Sequence, residues 1–397
     1  MPDRNETQHT NVVVIGGGYA GVTAANRLTK RDNVTVTLIN PRQRFVERIR
    51  LHQLVGGSDD AVVDYADVLA PGIRLRVDTV AHIDASKRSV TVASGGSVEY
   101  DYLIYAAGSQ SADPRVPGTA EFAYPIASYE QASTLRPVIA AAGPSAAITV
   151  VGAGPTGIET ATELAESGHS VTLVCGPILG PYLHPHGRKS VAKHMAELGA
   201  TVVVGADSVV TSVASDSVQL RDGRELASDV TIWTAGFSVP DLATRSGLST
   251  DPVGRLLTDE TLTSIDDQSI VAAGDSAAPS NLPFRMSCQA AGPLGAGAAD
   301  TVLSRISREQ PKPISMRFFG QCISLGRRHG IFQFAHADDS PVRFYLGGRP
   351  GAALKALVCW ATVKQLAIEA RKPGLISVPA WAADRSRRQQ LRSTVKA

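Results

Sequence analysis

A repeat constrains this chain more than any other feature. The stretch VVVIGGGYAGVTAANRL, Val12 to Leu28, returns as ITVVGAGPTGIETATEL, Ile148 to Leu164. Each copy holds a β-branched run, three spaced glycines and an alanine-rich segment. Each is followed by a second β-branched run, VTVTLIN ending at Asn40 and HSVTLVC ending at Cys175. Further on, DYLIYAAG (Asp101 to Gly108) is echoed by DVTIWTAG (Asp229 to Gly236), and each echo follows a turn signal, Gly95-Gly96 or Asp222-Gly223. The same elements in the same order predict two βαβ domains of one plan, hence an α/β fold. The 397 residues leave room for both and for a third unit, at roughly 150 residues per domain.

The two units do not sit end to end. SIVAAGDSAAPSN, Ser269 to Asn281, reads as a strand closing into a loop, followed by an alanine- and glycine-rich helix that ends near Arg308, before Pro311 and Pro313. The first domain is therefore read as interrupted, residues 1–122 and 254–310, with the second inserted at 123–253. Residues 311–397 differ in character. Strand-like pieces at Met316 to Phe319, Gln321 to Leu325, Ile331 to Phe334 and Arg343 to Leu346 precede a helix over Ala352 to Arg371.

Composition narrows the function. A net charge of +2 lacks the basic excess of a nucleic-acid binder. The four cysteines (Cys175, Cys288, Cys322, Cys359) form no C-x-x-C pair, which argues against a disulfide scaffold, a zinc site or an iron–sulfur cluster and suits a reducing, cytoplasmic setting. The polar start, MPDRNETQHT, does not resemble a signal peptide. No uninterrupted apolar run reaches 18 residues, so no membrane-crossing helix is expected.

The glycines point to chemistry. In Gly16-x-Gly18-x-x-Gly21 the first glycine permits a tight strand-to-helix turn, and the second lets backbone approach a pyrophosphate. The third lets helix pack closely on strand. Gly152-x-Gly154-x-x-Gly157 repeats the arrangement. Two such motifs imply two dinucleotides, and a flavin with a nicotinamide is the pair that exchanges hydride.

On these motifs the chain resembles the two-dinucleotide-binding flavoproteins of the pyridine-nucleotide-disulfide-oxidoreductase superfamily, over residues 12 to about 308. The resemblance implies FAD on the first glycine motif, with Ala106-Ala107-Gly108 closing over it, Gly274-Asp275 giving a carboxylate to the ribityl chain, and Val80 among the contacts. It implies NAD(P)H on the second motif, with Gly236 nearby. The places that usually carry a ribose-binding acid hold Asn40 and Cys175. Loss of the acid at Cys175, with Arg188 and Lys189 downstream, leaves NADPH as open as NADH.

Disulfide reductases carry a reactive cysteine after the position of Asn40. PRQRFVERIRLHQLVGG, Pro41 to Gly57, has none, so thiol exchange is not expected. The chain is more similar to type II NAD(P)H:quinone oxidoreductases and apoptosis-inducing-factor-like flavoproteins, which implies electron transfer to a quinone-like acceptor. A cation at Arg48 or Arg50 would stabilise an anionic reduced flavin. By the resemblance, Glu159 lies near the nicotinamide–flavin contact and Gln289 beside the acceptor, while Cys288 reads as a packing residue. An electron-carrier protein, a small natural product or oxygen as acceptor, or a slow redox sensor, stay open as alternatives. The apolar positions Leu354, Leu357, Val358, Trp360 and Leu366, followed by Trp381, Arg385, Arg387, Arg388, Arg392 and Lys396, suit either peripheral membrane contact or an interface helix. A homodimer is equally open.

Overall fold

The computed structural model describes residues 9–375 together with Arg387, Gln389, Leu391 and Arg392. Trp381, Arg385, Arg388, Lys396 and the start of the chain up to Gln8 lie outside the described residues. The chain opens with strand β1 (Thr10–Ile15), helix α1 (Tyr19–Leu28) and strand β2 (Val34–Asn40). Short helix α2 (Leu51–Val55) and strands β3 (Arg74–Val77) and β4 (Tyr102–Tyr105) follow. The second unit holds β5 (Ala123–Pro125), β6 (Ala147–Val151), α3 (Pro155–Glu166), β7 (Ser170–Gly176), α4 (Pro185–Glu197), β8 (Thr201–Val204) and β9 (Val230–Trp233). The chain then returns through β10 (Ile270–Ala272) and α5 (Cys288–Ile306) before β11 (Gly320–Ser324), β12 (Gly330–Ala335), β13 (Pro341–Gly347) and α6 (Gly348–Arg371).

Two parallel five-stranded sheets result, ordered β10-β4-β1-β2-β3 and β5-β9-β6-β7-β8. In both, the first strand of the glycine unit lies at the centre and is almost wholly buried. Continuous apolar runs such as VVVI suit this position, because helices cover both faces of a parallel sheet. Strand β10 pairs with β4, so a segment far along the chain completes the first sheet. The two connecting segments pair antiparallel at Gln110–Ser111 and Phe237–Ser238.

Small residues set the helix spacing around the first sheet. A Cβ on Gly295 of α5 would lie 2.2 Å from the Ala20 carbonyl oxygen of α1, so only glycine permits this crossing. One core joins α1, α5 and Leu366 of α6 with Met316 and Phe318. A second core joins α2 (Leu51, Leu54, Val55), α3 and the C-terminal sheet through Ile323, Leu325 and Ile331. The C-terminal region thus packs on both glycine-motif units, and α2 of the first unit is buried against the second.

One local expectation needs correction. Met316 to Phe319 is no strand. Met316 and Phe318 alternate with more exposed neighbours, as in a strand, but the segment lies extended on the first core and makes only two backbone bonds beside β12, Phe318 N–H to the Ala337 carbonyl (3.2 Å) and Ala335 N–H to the Phe319 carbonyl (3.0 Å), with no paired register among the described residues. Helix α6 is long and apolar enough, by length and composition alone, to cross a membrane. Its inward face nevertheless carries Lys355 and Glu369, both buried in ion pairs with Glu159 and Arg27 of the body.

Within the basic tail, Arg387 is not a free charge. Arg387 is buried, bridges Glu260 with both arms (2.8 and 2.9 Å), donates to the Pro279 and Leu282 carbonyls, and stacks on Phe284 at 4.2 Å. Arg387→Met strands Glu260, and the expected cost is about 3 kcal/mol, read as a lower denaturant midpoint.

Candidate active site

One cavity of about 1580 Å³ runs from the first glycine turn to the second and on to the C-terminal sheet. That exceeds the roughly 300–1,000 Å³ of a single small-molecule pocket. It is walled by Gly16, Gly18, Asn40, Arg48, Ala106 to Gly108, Gly152, Gly154, Glu159, Cys175, Gly236, Gly274, Asp275 and Gln289, so nearly all the sequence candidates meet in one space. Gly21 and Gly157 lie just behind it.

The glycine turns show why. Gly16 has φ +98°, and a Cβ there would lie 2.2 Å from the Ala106 carbonyl oxygen; a Cβ on Gly21 would lie 1.8 Å from that of Gly16. The corresponding distance from Gly157 to the Gly152 oxygen is also 1.8 Å. These glycines are fixed by the protein's own packing. Gly18 and Gly154 differ, because among the described residues a Cβ at either would meet no atom within 4 Å. They face the cavity at the N-termini of α1 and α3, where free backbone N–H groups and the helix dipole favour an anion. The cradles fit two pyrophosphates.

Around the first cradle, Asn40 accepts from the Gly17 N–H (3.0 Å) and donates to the Arg42 carbonyl (2.9 Å), so its amide braces the turn. Tyr65, which no sequence signal singled out, donates to the Gly17 carbonyl at 2.8 Å. Asp275 accepts from the Ser109 hydroxyl at 2.7 Å, and Arg48 donates to that hydroxyl at 2.8 Å while standing 3.7 Å from the Asp275 carboxylate. Ser109, also unread in the sequence, links the two charged groups.

Arg50 and Val80 stand elsewhere. Arg50 turns away from the cavity to Glu47 (3.1 Å), Gln53 (2.9 Å) and Asp59 (3.2 Å). The turn of helix between Arg48 and Arg50 sends the two side chains in different directions. Val80 is buried in the core behind the first sheet, against Val92 and its neighbours, and does not line the cavity. Gln289 lines it, but with its amide oriented to suit its neighbours it donates to the Gly320 carbonyl and accepts from the Phe319 N–H, both at 3.0 Å. It fastens α5 to the start of β11.

Deep in the cavity wall lies a buried polar cluster. Glu159, on the first turns of α3, receives Lys355 Nζ of α6 at 2.8 Å and the Ser324 N–H at 3.0 Å, and His52 Nδ1 of α2 stands 3.5 Å away. All three side chains are more than nine-tenths buried. Burial opposes the charge on Glu159, but Lys355, His52 and the Ser324 N–H outweigh it and hold the carboxyl below its usual range. Burial likewise opposes the charge on Lys355, and Glu159 overrides it and raises the ammonium above its usual range. Burial pushes His52 down to about 4, so it is neutral at physiological pH. The lysine escaped sequence reading because a single Lys on an amphipathic helix reads as its wet face.

Burial pushes the thiols upward, Cys175 to about 12 and Cys288 to about 11. Both are protonated at neutral pH and therefore poor nucleophiles. Arg188 donates to the Gly180 and Pro181 carbonyls (3.1 and 3.2 Å) and does not line the cavity.

The comparisons with known proteins agree with this architecture. Residues 10–294 match the model of the family described as pyridine nucleotide-disulphide oxidoreductase. The chain belongs to that family. An NADH dehydrogenase-like protein of Mycobacterium tuberculosis is 30% identical over 352 residues, covering 81% of this chain and 87% of the relative. A type II NADH:quinone oxidoreductase of the same organism is 26% identical over 331 residues, covering 71% and 70%. Among solved structures, the sulfide:quinone oxidoreductase of Aquifex aeolicus superposes with a TM-score of 0.78 at 20% identity, over 92% of this chain and 93% of that one, a likeness of fold alone. This member of the family is an oxidoreductase, an FAD-dependent NAD(P)H dehydrogenase.

Proposed function

We propose that the chain passes the electrons it takes from NAD(P)H to a quinone. The observation that carries this reading is the combination of two pyrophosphate cradles on one cavity with protonated thiols and no cysteine on the flavin-flanking segment. Relatives named as type II NADH:quinone oxidoreductases support the acceptor. FAD, when bound, supplies hydride acceptance from the nicotinamide and electron release to the acceptor.

The chain's residues do the rest. The first cradle and Asp275 hold the flavin nucleotide, and the second cradle holds the coenzyme. Arg48 brings a positive charge to the cavity beside Asp275, where reduction adds negative charge. Glu159 is held ionised by Lys355, and that pair fixes the carboxylate at the wall where coenzyme and flavin would meet. Overall, NAD(P)H, a quinone and one proton give NAD(P)⁺ and a hydroquinone. The exposed side chains Leu357, Trp360 and Ile368 of α6 support peripheral contact with a membrane surface, where a quinone would be met.

The test is an anaerobic double mix in stopped flow, with NADH or NADPH first and a soluble quinone second. Rapid reoxidation by the quinone is expected. A reduced enzyme that ignores the quinone would transfer the role to another acceptor or to a sensor. Coenzyme choice has its own test at Cys175, which lines the cavity as a neutral thiol. Cys175→Asp places a carboxylate where a 2′-phosphate would lie, and kcat/KM for NADPH is expected to fall at least about tenfold relative to NADH.

A further inference from the structure

The chain enters α5 through residues 280–287, a segment with neither helix nor strand. Pro283, Phe284, Arg285 and Met286 wall the cavity. Among the described residues, 283–286 make no backbone–backbone hydrogen bond. Such a segment opens easily unless side chains hold it. Its ends suit a hinge. Ser280 and Asn281 stand at φ +50° and +56°, and Ser287 caps α5 by accepting from the Ala290 N–H at 3.2 Å.

Two arginines hold the segment. Arg285 donates twice to Asp339, in the turn between β12 and β13, and its guanidinium stands 5.0 Å from the Phe318 ring and 5.9 Å from the Tyr182 ring. Tyr182 lines the cavity from the loop between β7 and α4. That loop is tied to the second cradle, because the Gly180 N–H donates to the Ala153 carbonyl at 3.0 Å. The segment therefore reaches across the half of the cavity where the coenzyme would lie. From behind, Arg387 takes the Pro279 and Leu282 carbonyls, stacks on Phe284 and pairs with Glu260, and it does not itself line the cavity.

We propose that residues 280–287 form a lid over the coenzyme half of the cavity, and that Arg387 is a positioning residue that latches it. The inference rests on NAD(P)H occupying the second cradle and is independent of the acceptor. Arg387 acts without touching the coenzyme. Once the latch is lost, the wall is complete in only a fraction of the molecules, and affinity falls by that fraction.

The experiment pairs hydrogen exchange, read by mass spectrometry, with calorimetric titration by NAD⁺ and NADP⁺, on FAD-loaded wild type and Arg387→Met. Labelling times are kept short enough for β1 and β6 to stay protected in the wild type. Bound coenzyme is expected to slow exchange in 280–287 of the wild type. Arg387→Met is expected to speed that exchange about tenfold while β1 and β6 stay protected. Its Kd for the coenzyme should rise about tenfold, as for a lid closed in about one molecule in ten. Arg387→Lys replaces the methionine variant if that one does not fold, with the same expectation. Lysine can keep Glu260 but cannot also cap two carbonyls and stack on a ring. Unchanged exchange in 280–287 overturns the proposal. So does faster exchange there with an unchanged Kd, which would mark a packing role, or a rise shared equally by β1 and β6, which would mark general loosening. A wild-type protein that binds neither coenzyme would defeat the coenzyme reading itself, a failure distinct from these three.

Discussion

Gly154→Ala is expected to leave a folded, yellow protein whose kcat/KM for NAD(P)H has fallen about 100-fold, a loss typical of reactants displaced by an ångström. Among the described residues the new methyl group meets no atom within 4 Å, so it leaves the fold undisturbed. It does fill the space above the N-terminus of α3 that a pyrophosphate needs. Gly18→Ala makes the matched change at the other cradle, where the loss should fall on flavin retention. The two variants thus separate the two nucleotides within one cavity: the first keeps its flavin and loses coenzyme, the second loses flavin. Bound-flavin absorbance, thermal melting and steady-state kinetics on both proteins check the pair. Gly157→Ala is the contrast, because its Cβ would fall 1.8 Å from a backbone oxygen and must disturb the fold itself.

Lys355→Met is expected to destabilise the protein by about 3–5 kcal/mol, because Glu159 is left buried without its cation. The double variant Glu159→Gln, Lys355→Met removes both charges and should recover most of that loss. The pH dependence changes sign. In the wild type the Glu159 carboxyl is held below its ordinary range, so its contribution is present above the unfolded value, about 4.3, and is lost as pH falls through the folded value. Without Lys355, burial is the leading influence and raises that carboxyl. The folded state then binds a proton that the unfolded state has released, and stability falls as pH rises from 5 to 8. Urea midpoints of the single variant at those two pH values decide the matter. A midpoint that does not fall between them would mean Glu159 is not the buried partner of Lys355.

What the sequence made legible and what it hid divide along physical lines. Glycine spacing is a local code, since each glycine answers a steric demand within a few residues of itself or at the next strand end. The two glycine cradles could therefore be placed by number, while Asp275 and Ala106 to Gly108, expected only from the family resemblance, line the same cavity. The return of β10 to the first sheet was legible because apolar runs of strand length announce themselves. The Glu159–Lys355–His52 cluster was not, because its members come from α3, α6 and α2 and meet only when three parts of the chain close on one another. Arg48 and Arg50 could not be separated by pattern, since the direction of each side chain depends on a single turn of 3₁₀ helix. Met316 to Phe319 misled for the opposite reason. Its alternation of buried and exposed residues is real, but a strand also needs a partner, and alternation carries no information about one.

The central claim is that one cavity brings a coenzyme and a flavin into hydride contact. The most direct measurement is anaerobic single-mix stopped flow of the purified protein with NADH and with NADPH, following the flavin absorbance band. The account predicts a protein that carries one FAD per chain and bleaches within a catalytic turnover with at least one of the two coenzymes. A flavin-loaded protein that neither coenzyme reduces, or a folded chain that binds no flavin at all, would contradict it.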